Sequence, residues 1–219
     1  MMKKLLSLVL ALLMALLPAA MGLAEETAQP EATDAVVDDT NWAEYASATQ
    51  GYAFYYDADA WVVLDKSTVD NALSAAQDSG DQTMQGLISN ARTAIEQNDI
   101  LLLLSSDAQA NVNVMCADAG VEISADVLKA MTDTFVAQIS AQMTDLQTED
   151  GTGEIVELPA GNALQLIYGY TLSGVHYGGA MYVVAVGTKL YTFTLTAGYD
   201  VVTDYAEDVG EMLGSLTVA

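Results

Sequence analysis

The sequence predicts an α+β domain in which a mostly antiparallel sheet is flanked by helices as an α/β/α sandwich. Three observations lead to this fold class. Strand-like and helix-like patterns alternate in blocks along the chain. The predicted strands are joined by short, hairpin-length connections, which favour antiparallel pairing. Helices with one apolar stripe occur in the middle and at the end of the chain, so they can cover two faces of one sheet.

Residues 1–24 have the pattern of a secretory signal peptide. Lys3 and Lys4 form a basic start, residues 5–17 are almost entirely apolar, and Gly22 and Ala24 are small residues before the expected cleavage between Ala24 and Glu25. The apolar run is shorter than the roughly 20 residues that span a bilayer as a helix. We therefore expect a secreted or extracytoplasmic protein, with retention of the segment as an anchor as the alternative.

The mature chain divides into two parts by composition. Residues 25–49 carry several acids and no basic residue, which predicts a disordered leader. Residues 50–219 are long enough for one domain with a substantial core.

The charge balance excludes two classes of partner. The chain has 30 acidic residues against six basic ones, and only Lys66, Arg92, Lys129 and Lys189 are basic after the signal. Nucleic acids and anionic membranes recruit proteins through clusters of Lys and Arg, so neither is an expected partner. No later apolar run is long enough to predict a membrane span. The charge should keep an exported protein soluble and monomeric.

The first half of the domain begins with strands and continues as helices. Residues 52–56 alternate aromatic side chains, and residues 61–64 resume an extended pattern after a turn. Residues 67–98 predict a helix in two pieces interrupted at Ser79 and Gly80, with Asp81 as the cap of the second piece.

A strand that is apolar on both faces is predicted at residues 100–104, followed by a strand around Val112. The second strand carries two asparagines, so we expect it nearer an edge. Residues 124–146 then predict one long helix capped by Ser124. Its apolar stripe consists of Leu128, Met131, Phe135, Ile139, Met143 and Leu146.

The last third of the chain is predicted to be strands and a closing helix. Strands are expected at residues 155–158, 164–170, 177–186 and 190–196, and residues 187–189 have the composition of a hairpin turn. A helix follows from about Asp200, and residues 216–218 end the chain in extended form.

This order of elements resembles the PsbP-like family of exported bacterial proteins, whose fold is shared with an extrinsic subunit of photosystem II. The matching features are residues 51–56 leading to Trp61, the helix after Ser124, residues 190–194, and a terminal helix running into residues 215–216. Residues 57–59 depart from the family, where a turn containing Pro is commoner. The resemblance implies a fold shared over residues 51–218, in proteins that are generally not known as enzymes. It supplies no catalytic motif, and a photosynthetic role does not follow from a shared fold.

No constellation in the sequence predicts catalysis, a metal or a cofactor. Cys116 is the only cysteine and lies far along the chain from His176, the only histidine, so we interpret it as a small buried side chain. The acidic groups around residues 57–59 and 149–154 lack the spacing of a calcium loop. A Gly-x-Ser-x-Gly motif and a phosphate-binding loop are both absent from the sequence.

Tyrosine supplies the one candidate binding surface. Seven of the eleven tyrosines fall in the last 52 residues, and aromatic side chains are enriched at interfaces. The candidate residues are Tyr168, Tyr170, Tyr177 and Tyr191. The function predicted is a non-catalytic binding or accessory domain of the bacterial cell envelope, with an unidentified envelope or extracellular partner that is cationic or hydroxyl-rich. The alternatives are an extracellular hydrolase that uses acidic residues and a structural surface protein.

Overall fold

The computed structural model describes residues 41–141 and 143–219. The expected signal peptide and the leader up to residue 40 lie outside the described residues. In chain order the elements are β1 (Trp42–Ser47), β2 (Tyr52–Asp57), β3 (Trp61–Leu64), α1 (Val69–Ser79), α2 (Gln82–Asn98), β4 (Leu101–Ser105), β5 (Ala110–Asp118), α3 (Ala125–Ala130), α4 (Thr132–Ser140), β6 (Thr144–Thr148), β7 (Glu154–Leu158), β8 (Gly161–Leu172), β9 (Val175–Val186), β10 (Lys189–Gly198), α5 (Val202–Gly214) and β11 (Thr217–Val218).

The main sheet has the strand order β3-β4-β5-β10-β9-β8-β6, and β7 pairs with β8. All of its pairings are antiparallel, as the sequence predicts. Two-residue turns join β8 to β9 and β9 to β10. Ser173 and Gly174 have φ of 53° and 84°, the left-handed pair that matches the twist of a hairpin, and Gly187 has φ of 60° in the turn predicted from the sequence.

Each face of the main sheet has its own core. Alternate residues of β4 enter different cores, with Leu102 and Leu104 towards α1–α4, and Leu101 and Leu103 towards α5. A small sheet of order β1-β2-β11 completes the α5 side. The predicted α+β class with helices on both faces is therefore confirmed.

The predicted helix caps are present. The Asp81 carboxylate accepts a hydrogen bond of 2.9 Å from the Met84 N–H at the start of α2. Gly80 ends α1 with φ of 76°, a left-handed conformation that glycine adopts without steric cost. Ser124 caps α3 by accepting from the Val127 N–H at 3.3 Å.

The expectation that the strand around Val112 lies near an edge is wrong. This strand, β5, lies between β4 and β10 in the interior of the sheet. Asn111 and Asn113 are buried and lie opposite Thr196 and Thr194. The Asn113 amide donates to the Asn111 side-chain oxygen at 3.2 Å, so the two polar side chains partly satisfy each other inside the core.

The expected helix over residues 124–146 is also wrong in its length. The chain forms α3 and α4, divided at Met131, and helical structure ends at Ser140. Leu146 lies in β6, which pairs with β8. The apolar stripe correctly identifies the buried positions up to Ile139, but beyond them pairing to the sheet edge prevails over helix propensity.

The boundary between a leader ending at residue 49 and a domain starting at residue 50 needs correction as well. Residues 42–47 form β1, which pairs along its length with β2. The ring of Tyr45 lies 6.0 Å from that of Tyr52 and 5.7 Å from that of Phe54. Composition averaged over the acidic segment conceals this strand, because acidic residues dominate the average while the packing of the strand rests mainly on the ring of Tyr45.

One buried indole ties α5 to the edge of the main sheet. Trp61 is buried, and its Nε1–H donates to Asp208 of α5 at 2.9 Å. Burial raises the pKa of the Asp208 carboxyl, and the charges of Asp57 and Glu207 raise it further, against the lowering effect of the Trp61 hydrogen bond. The ionised Asp208 carboxylate therefore destabilises the folded protein at neutral pH.

We expect Phe135→Ala to lower the free energy of unfolding by about 3–5 kcal/mol, because the Phe135 side chain is buried in the core beneath α4. Denaturant unfolding measures the change. Val127→Ala on the neighbouring α3 is the control, since Val127 is exposed and its loss should cost less than about 0.5 kcal/mol. A loss at Phe135 as small as the control would show that this helix face is misplaced.

We expect Asp208→Asn to raise the free energy of unfolding at pH 7, because the amide oxygen still accepts from Trp61 and the buried charge is gone. Folding raises the pKa of Asp208. The destabilisation that this carboxyl causes is therefore absent below its ordinary pKa of about 3.9 and grows as the pH rises through its pKa in the folded protein. The gain should therefore vanish near pH 3, as unfolding curves at both pH values would test. Glu211→Gln, an exposed carboxyl on the same helix, is the control. An equal gain at both pH values would contradict the argument.

Candidate functional site

The predicted binding surface of four tyrosines does not exist. Tyr168, Tyr170, Tyr177 and Tyr191 are each at most 5% exposed. Tyr170 stacks on Tyr177 with ring centroids 5.5 Å apart in the core beneath α1–α4, and Tyr191 belongs to the core on the other face. The prediction is wrong because both faces of these strands are covered.

Two other tyrosines of the same region, together with the buried Tyr168, line a cavity. This feature, the Tyr199 cavity, has a volume of about 340 Å³ and lies between β8, β9 and the start of α5. Tyr182 and Tyr199 provide aromatic walls, and Glu149 stands beside them. Apolar lining comes from Ile167, Val202 and Ala206.

Glycines make the close packing around this cavity possible. A Cβ atom added to Gly178 would lie 2.6 Å from Cγ1 of Val202, and one added to Gly169 would lie 3.1 Å from Cε2 of Tyr199. Any side chain at these positions would push the helix start or the Tyr199 ring away from the sheet. The Gly-rich composition of β9 is thus a packing requirement of the site.

The polar groups of the site converge on the Tyr199 side chain. Its hydroxyl donates to the Glu149 carboxylate at 3.2 Å, and the His176 ring lies 4.2 Å from its ring centroid at an interplanar angle of 60°. The charge of Glu149 raises the pKa of Tyr199, so the phenol stays protonated as the donor. Because the Tyr199 ring is 42% exposed, it presents a free aromatic surface beside a negative charge.

Other residues considered from the sequence take structural positions. Cys116 is a half-buried free thiol on the same face as Val112 and Val114, and burial raises its pKa, which disfavours the nucleophilic thiolate. Asp57 accepts from the backbone N–H of Asp59 at 2.9 Å, which closes a turn. Within residues 41–141 and 143–219, no group of three or more His, Cys, Asp or Glu side chains is placed to hold a metal ion.

Sequence reasoning counted Tyr199 among the clustered tyrosines but did not single it out. The available signal was its place directly after β10 and before α5, because a residue in a connection is exposed far more often than one inside a strand. Glu149 gave no comparable signal, since it is one of 30 acidic residues.

Among the described helices, none combines the length and the apolar character needed to cross a membrane.

Comparison with solved structures gives neighbours in fold. The solution structure of cyanobacterial PsbP from Synechocystis aligns over 87% of this chain and 100% of its own, with 14% identity and a TM-score of 0.49. A Bacteroides thetaiotaomicron protein aligns over 80% of this chain and 48% of its own, with 9% identity and a TM-score of 0.49. LpqN, involved in cell envelope biogenesis of Mycobacterium tuberculosis, aligns over 55% of this chain and 65% of its own, with 15% identity and a TM-score of 0.36.

A PsbP structure is therefore among the neighbours in fold, as the resemblance in sequence pattern led us to expect. At these identities the likeness concerns the fold and carries no activity with it. Comparison with models of protein families and with curated proteins gave no match.

We expect Gly178→Ala to lower the free energy of unfolding by about 1–3 kcal/mol, because the new methyl group would collide with Val202 at the start of α5. Thermal or denaturant unfolding measures the effect. Gly210→Ala is a matched control inside α5, where an added Cβ meets nothing within 4 Å and should stabilise the helix by about 0.5–1 kcal/mol. Equal effects of the two substitutions would contradict close packing at the cavity floor.

Proposed function

We propose that this chain is a non-catalytic binding or accessory domain of the bacterial cell envelope, and that its ligand is held in the Tyr199 cavity. The observation that carries the proposal is an exposed aromatic ring hydrogen-bonded to a carboxylate at the mouth of an apolar cavity. The expected export signal supports a role outside the cytoplasm.

The lining of the cavity indicates the chemistry of the ligand. Its volume is at the lower end of the range for ligand sites, so it accommodates a group about as large as one side chain. Apolar walls favour an apolar group, and the ring of Tyr199 together with Glu149 favours a positive charge next to it. A cationic group on a basic partner suits an acidic protein better than an anionic one.

The geometry gives less support to a hydrolase. Hydrolysis by paired carboxylates requires two acidic side chains facing each other across a cleft. Glu149 is the single acidic residue among those that line the Tyr199 cavity.

A series of three probes with the same ring and different charge tests the ligand class. In NMR titrations, benzylammonium should bind more tightly than benzyl alcohol, and benzoate should bind least, because of the Glu149 charge. Tyr199→Ala should weaken benzylammonium binding about tenfold, which corresponds to about 1.4 kcal/mol. Glu149→Gln should reduce benzylammonium affinity towards that of the alcohol.

The control is Tyr55→Ala, which removes an exposed aromatic ring from β2 and should leave all three affinities unchanged. Equal binding of the three probes would contradict the assigned ligand class. Turnover by the purified protein in a broad hydrolase screen would contradict the non-catalytic role. A pull-down from the native envelope with the unaltered protein and with Tyr199→Ala would identify partners that depend on this cavity.

A further inference from the structure

A second cavity, of about 320 Å³, lies where three connections meet, namely β1–β2, β3–α1 and α2–β4. We call it the Tyr52 cavity. The lining residues used below are Tyr45, Gln50, Tyr52, Asp65, Lys66 and Asp99. In contrast to the Tyr199 cavity, its lining is rich in hydrogen-bonding groups.

The Asp65 carboxylate is held ionised and in place by protein donors. One oxygen accepts from the backbone and side chain of Ser67 at 2.8 and 2.7 Å and from the Thr68 N–H at 2.9 Å. The other accepts from the Tyr45 hydroxyl at 3.3 Å. Burial alone would raise the pKa of Asp65, but these hydrogen bonds outweigh it and lower the pKa.

Asp99 forms the facing wall and is fixed by both its backbone and its side chain. Its φ of 56° places it in the left-handed region, which Asp tolerates better than most residues. The Gln50 amide donates to the Asp99 carbonyl at 2.7 Å, and the Lys66 ammonium lies 2.9 Å from the carboxylate. Lys189 in turn donates to the Gln50 carbonyl at 3.3 Å, which anchors the β1–β2 turn that carries Gln50.

Among the residues that line this cavity, Tyr52 carries the one buried side-chain polar atom that has no hydrogen-bond partner in the described protein. Tyr52 is 3% exposed, and its hydroxyl is buried with no hydrogen bond to any described residue. Burial raises its pKa, and the negative charges of Asp99 and Asp65 add to this, so the phenol stays protonated. An unpaired buried hydroxyl is unfavourable unless a bound molecule satisfies it.

We propose that the Tyr52 cavity is a binding site for a neutral, hydroxyl-rich molecule the size of one sugar ring, with an oxygen of the ligand accepting from the Tyr52 hydroxyl. The hydroxyl groups of such a ligand donate to the remaining lone pairs of Asp65 and Asp99 and accept from Lys66. The volume fits a single ring.

The charges around the cavity disfavour the other ligand classes. Two carboxylates repel an anion, and the ammonium of Lys66 already occupies the position beside Asp99 that a cation would take. A purely apolar ligand would leave the Tyr52 hydroxyl unpaired. This site is independent of the Tyr199 cavity, with which it shares no lining residue.

Tyr52→Phe separates a binding role from a structural one. The substitution removes only the hydroxyl and keeps the ring that packs on Tyr191 and Phe54. If the hydroxyl serves a ligand, the variant without ligand should be at least as stable as the unaltered protein in thermal unfolding. Tyr45→Phe is the matched control and should be less stable, because it removes the hydrogen bond to Asp65.

The binding test is an NMR titration with D-glucose and N-acetylglucosamine, for which we expect dissociation constants in the millimolar range, typical of a single sugar ring. Shifts should occur for the backbone amides of Gln50, Lys66 and Asp99. Tyr52→Phe should weaken binding about tenfold, whereas Tyr199→Ala should leave it unchanged.

Three outcomes would overturn the proposal. The first is the absence of shifts around the cavity with either sugar. The second is unchanged sugar affinity in Tyr52→Phe. The third is a loss of stability in Tyr52→Phe as large as in Tyr45→Phe, which would mean that the hydroxyl serves the fold.

Discussion

The central sheet is apolar on both faces, and the remainder of the structure depends on covering it. Leucines of β4 point alternately into two cores, so neither face can be left in water. One cover is the helical layer α1–α4, and the other combines α5 with the small sheet. The polar side chains of Asn111 and Asn113 are buried because β5 sits between two such covers. Burial of apolar area on two sides supplies most of the driving force for a chain of this length.

The two cavities lie where the covers end. The Tyr199 cavity opens at the first turn of α5, where glycines of the sheet let the helix start approach closely. The Tyr52 cavity opens where the β1–β2 turn of the small sheet meets the connections between the main sheet and the helical layer. Both therefore combine side chains from connections with a rigid floor, which is the arrangement in which loops provide recognition and a scaffold fixes its geometry. Their chemistry differs because the Tyr199 cavity is lined mainly by aromatic and aliphatic side chains, whereas the Tyr52 cavity adds two carboxylates, an amide and an ammonium group to its tyrosines.

Sequence reasoning succeeded where local physics decides the structure. The cap at Asp81, the turn at Gly187 and the two-sided burial of β4 follow from side-chain chemistry within a few residues. Sequence reasoning failed where the structure of a segment depends on a strand elsewhere in the chain. Residues after Ser140 pair with the sheet instead of extending the helix, and β1 exists because β2 offers an aromatic face. The candidate site failed for the same reason, since an alternating strand shows which side chains share a face but not whether that face is covered.

The position of β2 between the first and last strands of the described domain has a consequence for how the chain folds. Its aromatic inner face is covered by α5, and its outer edge pairs with β11, both of which come from the last eighteen residues. During synthesis from the amino terminus, Phe54 and its neighbours cannot be fully buried until α5 and β11 have been made. The domain is thus unable to close early, and its folding depends on contacts between segments that lie far apart in the sequence.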